Sequence, residues 1–276
     1  MIPRDYITAW RANVPWVEDS QVEQDLIISR ALVAIYSQAD LAATLAFRGG
    51  TALHKLHFRP AARYSEDIDL VQVKAGAIGP VLVLTALHKT LDPWLGEPRR
   101  DQSEGRVRLN YRFPSEDAPP LRLRLKVEIN SREHFTVFGH KKIAFAVDSR
   151  WFRGSAKIVT YELEELLGTK LRALYQRRKG RDLFDLALAL ETTKADPARI
   201  VQAFLEYMKR EGHQVTRAQF ERNLASKFRN AQFNADIGPL LAAKYQWDRA
   251  KAGEMVLQRV ISLLPGDPWK RPRAGK

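Results

Sequence analysis

The chain has 276 residues, of which 45% are hydrophobic and 28% are charged, and these fractions exclude a chain that is disordered throughout. The absence of cysteine excludes disulfide frameworks, thiolate zinc sites and cysteine nucleophiles. The 45 Lys and Arg residues outnumber the 32 Asp and Glu residues and give a net charge of +13, which favours a polyanionic partner over a basic solubility surface or an acidic partner protein.

The first half of the chain has the pattern of a mixed α/β domain. Apolar residues at three- and four-residue spacing predict helices, and alternating or β-branched runs predict strands. The predicted helices cover 20–46, 51–57 and Pro80–Leu91, and the predicted strands cover Ile68–Val73, Arg106–Phe113, Leu121–Asn130 and Lys142–Val147.

The second half changes to helical periodicity at Tyr161. Its predicted helices cover Leu163–Leu174, Leu183–Leu190, Pro197–Glu211, Arg217–Arg229 and Pro239–Leu264. The last residues, Lys270–Lys276, are predicted to form a frayed basic tail. This layout predicts an α+β fold with a mixed α/β domain over 1–158 and a helical domain over 159–276.

Two aspartates at the start of a predicted strand form the most informative motif. In extended backbone, Asp67 and Asp69 point to the same face with their Cα atoms about 6.5–7 Å apart. Carboxylates held this close repel each other unless a cation lies between them, and their hard oxygen atoms suit Mg²⁺. Two such ions can bracket an in-line displacement at phosphorus. The alternative is an acidic strand end with solvated charges.

A glycine pair upstream of these aspartates indicates an anion site. Gly49 and Gly50 precede a predicted helix start, where free N–H groups and the positive end of the helix dipole attract phosphate. Glycine also lets the backbone approach an anion closely. Arg63 and Ser65 can each donate a hydrogen bond to a phosphate. An ordinary strand-to-helix turn, and a turn cap at Ser65, are the alternatives.

Other charged residues extend this pattern. Glu128 lies on the polar face of its predicted strand, where it can bind a metal, act as a general base or remain solvated. Lys170 lies on or beside a leucine stripe, so its ammonium group must reach solvent or meet an acidic partner. Asp182 and Asp185 share one helix face, although Asp182 alone can also be a helix N-cap.

In combination, the sequences Phe47-Arg-Gly-Gly-Thr-Ala-Leu-His-Lys55 and Arg63-Tyr-Ser-Glu-Asp-Ile-Asp-Leu70 resemble the AbiEii/AbiGii toxin family. This family contains nucleotidyltransferase toxins of type IV toxin–antitoxin and phage-resistance systems, including the mycobacterial MenT toxins, within the DNA polymerase β-type superfamily. The segments Gly168–Leu174 and Arg177–Leu186 resemble the family's lysine and aspartate motifs.

The resemblance implies a nucleotidyltransferase fold, in which helices flank a mixed sheet, with a helical C-terminal lobe. The residues implied in nucleotide binding are Gly49, Gly50, Thr51, Lys55, Arg63, Ser65 and Lys170. Asp67 and Asp69, joined by Glu128, are expected to hold Mg²⁺, and Lys170 with Asp182 or Asp185 is expected to complete the catalytic site.

The expected activity is two-metal transfer of a nucleoside monophosphate from an NTP to RNA, foremost the tRNA 3′ end, with growth arrest as the outcome. A cognate antitoxin is the expected partner. Transfer to a protein or small molecule, or nucleotide or RNA binding without catalysis, is the alternative.

The sequence contains no G-x-S-x-G elbow and no P-loop motif. It has no apolar run of about 18 residues and no signal-peptide pattern, so we expect a cytoplasmic protein without membrane association.

Overall fold

The computed structural model describes residues 2–74, 80–243 and 245–270. The described residues up to Glu162, together with Ala242 and Ala243, form one compact unit, called here the α/β unit. The remaining described residues form a second compact unit, called the helical unit. Residues 271–276 of the predicted basic tail lie outside the described residues.

A seven-stranded mixed sheet is the centre of the α/β unit. Its strands are β1 (Leu45–Arg48), β2 (Asp67–Gln72), β3 (Arg99–Ser103), β4 (Arg106–Pro114), β5 (Arg122–Asn130), β6 (His140–Asp148) and β7 (Arg153–Tyr161). They lie in the order β3-β4-β5-β2-β1-β7-β6. The pairs β1–β7 and β2–β5 are parallel, and the other neighbouring pairs are antiparallel.

Helices cover one face of this sheet. They are α1 (Arg4–Trp10), α2 (Asp19–Ser37), α3 (Ala39–Thr44), α4 (Gly49–Ala52), which continues as a π-helical turn over Leu53–His57, and α5 (Pro80–Leu95). Helix α2 packs on β5, β6 and β7, and α5 packs on β4. Strict alternation in β4 and β5 buries Leu109 and Val127 in the core and leaves their polar neighbours on the opposite face.

The helical unit contains α6 (Leu163–Gln176), α7 (Gly180–Thr192), α8 (Pro197–Arg210), α9 (Arg217–Phe228), α10 (Ala231–Ala235) and α11 (Arg249–Arg259). Helix α6 packs against α7, α8 and α9, and α7 packs against α11. The leucine stripes that predict α6 and α7 are buried between these helices. Within the described ranges, no helix has the length and apolar content that a bilayer crossing needs.

The α+β architecture, with a mixed sheet flanked by helices and a helical C-terminal part, is confirmed, but several predicted elements are wrong. The region predicted as one helix over 20–46 contains two helices, α2 and α3. The second ends at Thr44, and the next four residues form strand β1. The predicted helix over Pro239–Leu264 is limited to α11 and two short 3-10 turns, Gly238–Leu240 and Ile261–Leu263. Helix α1 and strands β3 and β7 were not predicted.

Candidate functional site

The turn between β1 and α4 brings the backbone close to β2. Gly49 has a φ of +85°, a conformation that residues with a side chain rarely adopt. A Cβ atom at Gly49 would collide with the Asp69 carboxylate, and a Cβ atom at Gly50 would lie 2.5 Å from the Arg63 guanidinium and 3.1 Å from Ser65 Oγ. The glycine pair therefore permits the close approach of this turn to three predicted site residues.

Replacing Gly49 with Ala is expected to lower the free energy of unfolding by about 2–3 kcal/mol, because it adds both positive-φ strain and a collision with Asp69. Gly96→Ala is the matched control, since Gly96 has a φ of +79° and nothing lies within 4 Å of a Cβ atom there. Urea denaturation of both variants isolates the cost of the collision. Equal losses would mean that the Asp69 carboxylate moves aside without cost.

Strand pairing surrounds the two aspartates with charged groups from β5. In the parallel register, Asp67 lies opposite Lys126 and Asp69 lies opposite Glu128. Lys126 Nζ lies 2.9 Å from Asp67 Oδ2 and 3.7 Å from Glu128 Oε2. Lys126 is thus a cation of the chain itself that offsets the repulsion among the carboxylates. No sequence motif indicates a role for Lys126, although strand alternation places it on the same face as Glu128.

The pKa values of Asp69 and Glu128 are shifted in opposite directions by their surroundings. Burial raises the pKa of Asp69, and the negative charge of Asp67 adds to this rise. Burial also acts to raise the pKa of Glu128, but a hydrogen bond from Arg108 and the charge of Lys126 outweigh it and leave that pKa lowered. Glu128 is therefore held as a carboxylate, whereas Asp69 is in a place that penalises negative charge.

One oxygen atom of Asp67 fits Mg²⁺. Asp67 Oδ1 is buried and has no hydrogen-bond partner among the described residues, and carboxylate oxygen is a preferred ligand of this ion. Glu128 is adjacent, but its Oε1 lies 3.3 Å from Arg106 Nε and its Oε2 lies 2.8 Å from Arg108 Nε. In the part of the chain that the structure describes, no three His, Asp or Glu side chains are gathered as a metal site. A metal role for Glu128 stays a prediction.

A cavity of about 270 Å³ in the α/β unit collects four of the predicted nucleotide-binding residues. Thr51, Lys55, Arg63 and Ser65 contribute to its wall. Thr51 Oγ1 and Ser65 Oγ are hydrogen-bonded to each other at 2.9 Å, and Arg63 is buried and donates from its guanidinium to the carbonyl oxygen of Tyr64 at 3.0 Å. The structure therefore brings these four residues together beside the glycine pair.

Lys55 has partners in this cavity that the sequence did not indicate. Its Nζ donates to Asp25 Oδ2 at 2.6 Å and to Ser29 Oγ at 2.9 Å. The indole N–H groups of Trp10 and Trp16 each donate to the same carboxylate at 3.1 Å. The available signal was an aspartate in an apolar stretch of α2, because a buried carboxylate needs a cation. Lys55 thus neutralises Asp25, and its contact with nucleotide stays a prediction.

Within the helical unit, Lys170, Asp182 and Asp185 form one buried ion-pair cluster. Lys170 Nζ lies 3.3 Å from Asp182 Oδ1 and 3.0 Å from Asp185 Oδ2. Arg177 donates two further hydrogen bonds to the Asp182 carboxylate, at 2.7 and 2.8 Å. Lys170 therefore meets acidic partners rather than solvent, and Asp182 is not an N-cap, since Lys179 occupies that position. The catalytic roles of the three residues stay predictions.

The chain is similar to known proteins in sequence and in structure. The sequence matches the family model described as nucleotidyl transferase AbiEii toxin, type IV toxin–antitoxin system, over residues 30–253. A search of curated protein sequences gave no significant match.

Solved structures share the fold of this chain. JHP933 from Helicobacter pylori has a TM-score of 0.56 and 16% identity, with 90% of this chain and 93% of that chain covered. MenT4, a nucleotidyltransferase toxin from Mycobacterium tuberculosis, has a TM-score of 0.53 and 13% identity, with 96% and 100% covered. At these identities the likeness is one of fold, and it confirms the fold that the sequence predicted.

Proposed function

Because the chain belongs to the AbiEii family of nucleotidyltransferase toxins of type IV toxin–antitoxin systems, we propose that it transfers a nucleoside monophosphate from an NTP to the 3′ end of tRNA. The observation that carries this proposal is the pair of carboxylates, Asp67 and Asp69, on one sheet face beside the glycine turn. The net charge of +13 favours RNA over a protein or a small molecule as the acceptor.

In the proposed reaction, the acceptor hydroxyl oxygen attacks the α-phosphorus of the NTP in line with the leaving group. A new oxygen–phosphorus bond forms, the bond from the α-phosphorus to the bridging oxygen breaks, and pyrophosphate leaves with the electron pair while the hydroxyl proton passes to solvent. Asp67 and Asp69 are the residues that would hold two Mg²⁺ ions, which when bound supply positive charge at the transferring phosphoryl group.

The glycine turn and its neighbours position the triphosphate in this proposal. Gly49 and Gly50 leave room for phosphate oxygens where a side chain would strike Asp69 or Arg63. The hydroxyl groups of Thr51 and Ser65 lie 2.9 Å apart and can turn from each other to a phosphate. These contacts fix the α-phosphorus for attack, which is how positioning contributes to phosphoryl transfer.

Transfer to tRNA would stop translation, so we propose growth arrest as the biological outcome and the cytoplasm as the place of action. Membership of a type IV system implies an antitoxin partner. Growth arrest and its neutralisation are tested by the growth of three kinds of cells. They express the wild-type chain alone, the wild-type chain with the candidate antitoxin, or the Asp67→Asn/Asp69→Asn variant. Continued arrest in the presence of the antitoxin would contradict it.

Incubation of the protein with Mg²⁺, total tRNA and each α-labelled NTP in turn tests the activity on a denaturing gel. We expect label in RNA with the wild-type protein and none with Asp67→Asn/Asp69→Asn. The matched control is Asp5→Asn/Asp148→Asn, which removes two exposed carboxylates of the α/β unit that bind surface arginines. It should label RNA like the wild type.

Other outcomes of this assay identify the alternatives. Label in a protein band would replace RNA with a protein acceptor. No label with any NTP, together with unchanged NTP binding in Asp67→Asn/Asp69→Asn, would favour a binding protein without catalysis. Equal loss of label in the control variant would contradict a specific role of the two aspartates.

A further inference from the structure

The polar face of β4 and β5 carries three exposed arginines, Arg112, Arg122 and Arg124, called here the arginine strip. Along β4, Arg112 lies between the buried side chains of Tyr111 and Phe113. Because successive side chains of a strand point to opposite faces, the arginine strip lies away from the helices that cover the core.

The strand register places like charges of the arginine strip against each other. Arg112 lies directly opposite Arg124 in the antiparallel ladder, and Arg122 is the next residue on the same face of β5. Like charges in directly opposed positions destabilise a sheet. Arg112 and Arg122 have no ion-pair partner among the described residues, and Arg124 lies 3.8 Å from Glu66, a half-exposed contact of little energetic value. The repulsion within the arginine strip is therefore left largely uncompensated.

Several other arginines of the chain are neutralised by the protein itself. In the same two strands, Arg106 and Arg108 both bind Glu128. In the helical unit, Arg177 binds Asp182 and Arg181 binds Asp236. The arginine strip differs from these groups because its positive charge remains available to an outside anion.

The arginine strip lies on the same sheet face as the two aspartates. From Arg124, the next residue on this face of β5 is Lys126, which lies opposite Asp67 of β2. Each such step along a strand is about 6.5–7 Å, so Arg124 and Arg122 extend outward from the carboxylates by one and two steps. If a linear polyanion were bound along the arginine strip, one end of it would lie at Asp67 and Asp69.

We propose that the arginine strip binds the phosphate backbone of the RNA acceptor and directs its 3′ hydroxyl to Asp67 and Asp69. This inference rests on the proposed function. The guanidinium group forms paired hydrogen bonds with phosphate, and an anion between Arg112 and Arg124 relieves their repulsion. RNA fits better than an acidic protein, because protein–nucleic acid interfaces are strongly basic whereas protein interfaces have an apolar centre, and the strip is made of charged side chains.

Binding of RNA by Arg112→Gln/Arg122→Gln/Arg124→Gln tests the arginine strip. The matched control is Lys89→Gln/Lys142→Gln/Lys157→Gln, which removes the same charge from exposed lysines of α5, β6 and β7 that have no ion-pair partner among the described residues. The probe is a fluorescein-labelled single-stranded RNA of about 12 nucleotides, measured by anisotropy at several salt concentrations. Circular dichroism and binding of a fluorescent ATP analogue verify the fold and the nucleotide site.

We expect the strip variant to bind this RNA at least about tenfold more weakly, while the control loses less than about threefold. The slope of log K against log salt should become shallower by about 2 in the strip variant, since three contacts each contribute about 0.7. ATP-analogue binding should not change in either variant. The single variant Arg122→Gln should show a smaller loss in the same direction, which keeps the test valid if the triple variant is poorly folded.

Two results would overturn the proposal: RNA affinity of the strip variant equal to that of the wild type, or an equal loss in the strip and control variants. Absence of RNA binding by the wild-type protein would also overturn it, and binding of the strip to an acidic protein alone would replace it. If the arginine strip binds RNA but no nucleotide is transferred in the gel assay, the strip stands and the proposed function fails.

Discussion

Replacing Lys170 with Met is expected to lower the free energy of unfolding of the helical unit by about 3–5 kcal/mol. Lys170 contacts two carboxylates, Asp182 at 3.3 Å and Asp185 at 3.0 Å, whose side chains are both 0% exposed. Removing the ammonium group leaves buried negative charge short of a cation, which costs more than the intact pair contributes. Arg177 still contacts Asp182 in the variant, so its charge limits the loss.

Hydrogen exchange of peptides from α6 and α7, together with urea denaturation, measures this loss in the helical unit separately from the α/β unit. Lys194→Met is the control, since Lys194 is exposed in the same unit and should change stability by no more than about 0.5 kcal/mol. Lys170→Met/Asp185→Asn should recover part of the loss, because it removes one of the two buried negative charges that Lys170 contacts. A Lys170→Met variant as stable as the wild type would contradict the stabilising role of this cluster.

The parts of the fold that were predicted have a strong local period. The alternation in β4 and β5 and the leucine stripes of α6 and α7 follow directly from which residues are buried. Strand β1 was missed because its apolar residues continue the pattern of the preceding helices, and only pairing with β2 and β7 makes them a strand. Strand β3 is exposed along its whole length, so it has no hydrophobic alternation.

In the candidate site, the local motifs were predictable from the sequence, whereas the contacts between distant residues were not. The glycine pair and Asp67 with Asp69 are short local motifs whose geometry follows from one turn and one strand. The contact of Lys126 with Asp67 depends on the parallel pairing of two strands far apart in sequence. The contact of Lys55 with Asp25 likewise joins the π-helical turn after α4 to helix α2, which are far apart in sequence. Such contacts require the strand order and helix packing, which a single sequence does not give.

The position of Lys126 among the carboxylates leads to a second prediction of large effect. Without divalent cations, Lys126→Met is expected to lower the free energy of unfolding by about 2 kcal/mol, because Asp67 and Glu128 lose a shared, partly buried cation. Mg²⁺ should restore most of this loss, since an ion bound to Asp67 and Asp69 supplies the missing charge. At about 100 times its dissociation constant, a bound ligand stabilises a protein by about 2.7 kcal/mol.

The wild-type protein should gain less from Mg²⁺ than the variant does. In the wild type, the Lys126 ammonium group lies 2.9 Å from Asp67 Oδ2, and its positive charge opposes the binding of a second cation to this carboxylate, whereas in Lys126→Met that charge is absent. Thermal unfolding in EDTA and in increasing Mg²⁺ measures both effects without reference to catalysis. Lys142→Met, an exposed lysine of β6, is the control and should follow the wild type. Equal Mg²⁺ stabilisation of all three proteins would mean that the charge of Lys126 does not oppose Mg²⁺ binding. If Mg²⁺ stabilised none of them, Mg²⁺ binding at Asp67 and Asp69 would be contradicted.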